Sequence, residues 1–195
     1  MATKVRSYTD KELLDRVKSL NNFKLIPYGY WILGVRSNED TSNVYDDKFY
    51  LFFGEKFICV TTGTTNPGTP ILKGGYLSYN KDGAFVLKSD WWHYNMWTPG
   101  YHNGKMKALR QVSNVFGFRD GNKNDKSEEV GKEVVGMFGI NFHANTYNAL
   151  DRVVKWFIGG WSAGCQVCNN RAEYNHIIEL IGSQKYVSYC LIKEF

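Results

Sequence analysis

The spacing of apolar residues along this chain changes from helical to strand-like and back. Near the start, Leu13, Leu14, Val17 and Leu20 recur on one helical face. Thr9 and Glu12 stand at capping-box spacing ahead of them. A helix is therefore expected from about Thr9 to Leu20, ended by Asn21-Asn22. From Gly29 the period becomes two. Strands are expected at Tyr30–Val35, at Lys48–Phe53 and Lys56–Thr62 as a hairpin over Gly54-Glu55, at Gly83–Lys88 and at Ala108–Phe118. Thr61–Gly75 reads as a long irregular loop. Gly136–His143 predicts a strand, and Arg152–Ile158 a strand or a short helix. Asn170 and Glu173 open a second helix running to about Ile181, with Tyr174, Ile177, Ile178 and Ile181 as its apolar face. Tyr186–Ile192 alternates as a last strand. The fold class implied is β-rich α+β with one helix near each end.

Asp90–Gly104 carries Trp91, Trp92, Tyr94, Trp97 and Tyr101 with His93 and His102, and is broken by Pro99-Gly100. Two readings are open: a lid or wall whose rings stack on a sugar or peptide, or a satellite core under a loop. Trp97, Tyr101 and His102 are the substrate contacts it offers. Asp120–Asp125 alternates oxygen ligands as a calcium loop would. It lacks the glycine and glutamate at the diagnostic positions, so a hairpin turn is the better reading.

Composition narrows the class. The 195 residues are 43% hydrophobic, 22% charged and 16% aromatic, which suits one folded domain. The net charge of +5 suits an anionic polymer, but the cations are scattered, which argues against nucleic acid. No apolar run has the length of a membrane span, and the N-terminal residues lack the apolar core of a secretory signal. Synthesis in a reducing cytoplasm is expected, with the four cysteines free and Cys59 and Cys190 in the core.

The reactive stretch is Gly159-Gly160-Trp161-Ser162-Ala163-Gly164-Cys165, with His143 twenty-two positions upstream. A cysteine behind small residues suits nucleophilic acyl chemistry. Histidine would take the thiol proton and bring the sulfur toward the thiolate, and backbone amides near Gly164 and Cys165 would face an oxyanion. The second nitrogen of His143 needs an acceptor, which a backbone carbonyl or Ser162 would supply. Trp161 reads as cleft wall.

Ser162-Ala163-Gly164-Cys165 resembles the Ser-His-Gly-Cys signature of the L,D-transpeptidase catalytic domain, and His143 matches that family's upstream base. The order of Arg119-Asp120-Gly121-Asn122, the His143 strand and Trp161–Gln166 is similar to that in phage-encoded relatives. Ala163 replaces the second signature histidine, and Gln166-Val167-Cys168 replaces an apolar residue and a following Arg or Asn. The resemblance implies an L,D-transpeptidase-like β-sandwich or barrel over residues 29–195, behind a helical segment 1–28, with a helix after the cysteine. It implies Cys165, His143, Ser162 and Gly164 as catalytic residues; the substrate contacts expected beside them are Trp161, Trp97, Tyr101, His102 and Gln166. No cofactor or metal is expected. The partner would be the peptidoglycan stem peptide, with a phage or injection-system assembly delivering the protein to the wall. The alternative class is a non-catalytic wall-binding or virion protein of the same fold. Two rivals arise from Cys165-Gln166-Val167-Cys168. A thioredoxin-like pair lacks a βαβ setting, and a zinc deaminase would need a glutamate where His143-Ala144-Asn145 has none.

Overall fold

A computed structural model describes residues 5–39, 41–75 and 81–195. Residues 1–4 of the expected N-terminal segment lie outside these. Helix α1 (Asp10–Lys18) begins where its spacing predicted: Thr9 accepts from the Glu12 N–H, and the Glu12 carboxylate accepts from the Thr9 N–H. Strands β1 (Tyr30–Arg36), β2 (Asp47–Phe53) and β3 (Lys56–Thr64) follow, with β2 and β3 forming the expected hairpin. The presumed irregular loop after it contains a single helical turn, α2 (Thr69–Leu72), then β4 (Ala84–Leu87).

Four expectations are corrected beyond this point. Asp90–Gly104 is no loop: it is β5 (Trp91–His102), the longest strand. Pro99 is tolerated because β11 (Val187–Lys193) pairs β5 only as far as Trp97, leaving one edge of the strand free beyond it. Ala108–Phe118 is two strands, β6 (Met106–Gln111) and β7 (Val115–Asp120), in different sheets. Gly136–His143 is mostly irregular, between β8 (Lys132–Gly136) and the three-residue β9 (Phe142–Ala144). Arg152–Ile158 is neither helix nor strand, apart from one bridge from Phe157 to Val44. Strand β10 (Gln166–Cys168) and helix α3 (Arg171–Ile181), capped by Asn170, complete the set with β11.

Eight strands close into a barrel in the order β1-β11-β5-β6-β9-β10-β3-β2, and β4-β7-β8 form a separate small sheet. The protein is thus a sheet-rich α+β fold. The barrel core holds Ile32, Phe49, Leu51, Trp97, Phe142 and Tyr189, sealed by Tyr174, Ile177 and Ile181 of α3. A second core lies outside the barrel, where Leu13 and Val17 of α1 pack on Trp31, Phe52 and Trp92. Strand β1 is therefore buried on both faces, which explains its unbroken apolar run. Buried Arg36 ties the barrel to the small sheet: it donates to Thr65 and to the Leu87 carbonyl and pairs with Glu129 at 2.7 Å. Among the described residues no helix is long and apolar enough to cross a membrane.

Candidate active site

The cysteine turn is built by its own small residues. A short 3-10 turn (Gly159–Trp161) leads into Ser162, whose buried hydroxyl donates to the Cys165 carbonyl at 2.8 Å and accepts from the Gly164 N–H at 3.2 Å. Gly164 has φ +126°, which L side chains rarely adopt, and a Cβ there would lie 2.7 Å from the Phe85 carbonyl oxygen. The chain then enters β10 at once. Helix α3 starts six positions after Cys165, so no helix N-terminus points at the sulfur.

Parallel pairing of β9 with β10 sets Gln166 beside Phe142 and Val167 beside His143. This carries the His143 imidazole to the cysteine turn. One ring nitrogen each from His102 and His143 and the Cys165 sulfur all lie within 4.8 Å of one another. His143 is fully buried, and its Nδ1 donates to the Ala144 carbonyl at 2.8 Å. The orienting acceptor is therefore that carbonyl; Ser162 is occupied within its own turn. Nε2 carries the lone pair, and it is buried with no hydrogen-bond partner among the described residues. His102 stacks on His143 with ring centroids 3.9 Å apart. Asn141 fixes that ring: its oxygen accepts from the Gln111 N–H, and its Nδ2 donates to His102 Nδ1 at 3.2 Å.

The electrostatics differ from the expected thiolate. Burial pushes the Cys165 thiol up to about 11, opposed by a hydrogen bond from the Asn141 backbone. Burial first, and then the neighbouring His102, pull His143 down to about 3, against the Ala144 hydrogen bond. Both groups rest neutral at pH 7, and the thiol donates to the Gly139 carbonyl at 3.4 Å. The Gly164 amide, taken by Ser162, is no oxyanion donor in this arrangement. The Cys165 N–H has no acceptor among the described residues and is the donor left for that role.

A cleft of about 400 Å³ opens over this group, lined by Cys165, Ala163, Trp161, His102, Phe85 and Phe138, among others. Trp161 forms its wall, supported by Tyr147 at a ring distance of 5.1 Å. Three expected substrate contacts lie elsewhere. Trp97 is fully buried in the barrel and donates to the Ile140 carbonyl at 2.7 Å, because β5 is a core strand. Gln166 is buried, donating to the Gly164 carbonyl and accepting from the Tyr189 hydroxyl at 2.6 Å. Tyr101 is exposed and lines a different groove with Lys107 and Arg171. The sequence reading missed Gln111, whose side chain accepts from the Phe138 and Ile140 N–H groups and donates to the Ser113 and Gly136 carbonyls. It also missed Asn141; a half-buried amide in an irregular segment leaves no periodic signal.

His102, His143 and Cys165 form a nitrogen–nitrogen–sulfur set with the donor types of a zinc site. Cys165 and Cys168 do not make a paired-thiol site. Cys168 packs in the barrel core and Cys165 in a separate cluster with Tyr45 and Ile158. All four cysteines are free, with Cys190 buried and Cys59 only half-buried. The Asp120–Asp125 stretch belongs to the connection between β7 and β8. Its Asp120, Asn122 and Asn124 side-chain oxygens accept from backbone N–H groups of that loop. Comparison with protein-family models, with curated proteins and with solved structures gives no match to this chain.

Proposed function

We propose that this chain is a cysteine acyl-transfer enzyme of the L,D-transpeptidase type, acting on bacterial peptidoglycan stem peptides. One observation carries the reading. A ring nitrogen of His143 and the Cys165 sulfur lie within 4.8 Å of each other beside a cleft that Cys165 lines, and the buried Nε2 of that histidine has no hydrogen-bond partner among the described residues. A buried acceptor left without a donor is costly in a folded protein, and a thiol or a reacting group is a fitting donor.

The mechanism follows from two neutral partners. The thiol proton passes to His143 Nε2 as the sulfur attacks the carbonyl carbon, so no stable thiolate precedes the bond. The Cys165 N–H faces the developing oxyanion. The C–N bond then breaks as His143 returns the proton to the leaving amine. Water or a second amine resolves the acyl-enzyme, giving hydrolysis or cross-linking. The net charge of +5 favours an anionic wall polymer. Delivery by a phage or injection assembly is part of this reading. The test is mass spectrometry of purified muropeptides after incubation, with Cys165→Ala as control. A gain of water or exchanged stems that depends on Cys165 supports it; unchanged muropeptides refute it.

The nitrogen–nitrogen–sulfur set favours one second reading, a zinc centre with an open coordination position. Elemental analysis of the purified protein separates the two: stoichiometric zinc lost with Cys165→Ala would favour the metal.

A further inference from the structure

We propose that Arg119 is the anion-recognition residue of the Cys165 cleft, and that the acyl donor carries a free carboxylate remote from its reacting carbonyl. This deepens the acyl-transfer reading and rests on it.

The charged residues lining the cleft are Lys81, Arg119, Lys123 and Asp120. The Asp120 carboxylate is turned into its own loop, accepting from the Glu128 N–H at 2.9 Å and from the Asn122 N–H at 3.5 Å. Among the described residues none of the three cations forms an ion pair. The cleft therefore presents net positive charge to whatever enters it.

Arg119 is the one of the three that is held in place. It pairs across β4 and β7 with Phe85, so both side chains share a face of the small sheet. Its guanidinium lies 5.4 Å from the Phe85 ring centre and 4.9 Å from that of Phe138, and the two rings are themselves 4.6 Å apart. Gly117, two residues earlier on the same face, makes room for this: a Cβ there would lie 2.3 Å from the Phe85 ring. A guanidinium stacked on rings keeps its donors in a plane that the rings leave open, the geometry that grips a carboxylate with two hydrogen bonds. No hydrogen bond within the protein uses the Arg119 side chain among the described residues. Burial lowers its pKa and Asp82 raises it, and an arginine so placed stays charged at neutral pH.

Phe85 also joins this cation to the nucleophile. Its carbonyl is the atom that a Cβ on Gly164 would strike, and Gly164 precedes Cys165. The ring of one residue thus supports the cation while its backbone packs on the cysteine turn. A peptide acylating Cys165 would reach the guanidinium with a carboxylate further along its chain.

The experiment uses the full chain with Cys165→Ala, so that binding is read without turnover. Calorimetry compares a stem tetrapeptide with free carboxylates and the same peptide with its carboxylates amidated. The acid is expected to bind about tenfold tighter or more. Adding Arg119→Gln should abolish that preference by weakening the acid alone, and Arg119→Lys should keep part of it. Equal affinities for acid and amide, a preference that survives Arg119→Gln, or no binding of either peptide would each overturn the proposal. Turnover by the unmodified protein separates the two readings. Turnover indifferent to amidation sinks anion recognition alone, and charge-selective binding without turnover sinks acyl transfer alone.

Discussion

The imidazole of His102 lies face to face with that of His143, 3.9 Å between ring centres and 22° from parallel. A proton on one ring repels a proton on the other, which is one of the causes that hold His143 low. His102→Asn should therefore raise the His143 pKa from about 3, though not to its ordinary value, because burial is the larger cause. An NMR titration of the His143 ring reads this directly; an unchanged midpoint would disconnect the two rings.

Alkylation of Cys165 should be slow at neutral pH and should accelerate with alkalinity. With the thiol at about 11, the reactive thiolate grows about tenfold per pH unit below that value. Iodoacetamide labelling followed by peptide mass mapping from pH 7 to 10 would show the slope. Fast labelling already saturated at pH 7 would mean an ion pair that this geometry does not contain.

Gly164→Ala should be among the most damaging small substitutions. It places a methyl 2.7 Å from the Phe85 carbonyl oxygen and 3.2 Å from the Ile140 side chain, at φ +126°. A loss of about 2–4 kcal/mol of stability is expected, measured by urea unfolding, together with loss of Cys165-dependent turnover.

Gln111→Leu tests the support beneath the thiol. It removes two N–H donors and one oxygen that accepts twice, which together bind residues 113, 136, 138 and 140, next to the Gly139 carbonyl that accepts the thiol hydrogen bond. Stability should fall by about 3 kcal/mol or more, since buried backbone groups lose their partners.

Stability should also fall in mild acid. His143 and His93 sit at about 3 and about 4 in the fold against 6.5 when exposed, in both cases chiefly through burial. Between those values the unfolded chain binds more protons, so stability is full above about 6.5 and declines as pH drops toward 4. Asp47, raised by burial, works in the opposite sense at low pH and softens the slope. Unfolding midpoints at pH 7 and pH 4.5 should differ, and less so for His93→Phe. Equal midpoints would contradict this.

Local physics wrote much of the fold into the sequence. The Thr9–Glu12 capping box, the Asn170 cap and the hairpin over Gly54-Glu55 each act within a few residues, and each element begins where its spacing places it. The pairing of His143 with the turn of small residues before Cys165, twenty-two positions away, was legible from residue type and from the family resemblance, not from local spacing. What each side chain faces was not. Trp97, Tyr101 and His102 lie within six positions on β5, yet one is core, one faces another groove and one reaches the cysteine. Pro99-Gly100 looked like a break because the free edge that tolerates proline is created by where β11 stops pairing. Protonation was decided by enclosure: the fold buries His143 fully and Cys165 nearly so, and desolvation outweighs the mutual effect that their chemistry alone suggests. Sequence chose the reagents and the local turns; tertiary packing chose their exposure, their charge and their neighbours, because burial and long-range register belong to no single stretch of chain.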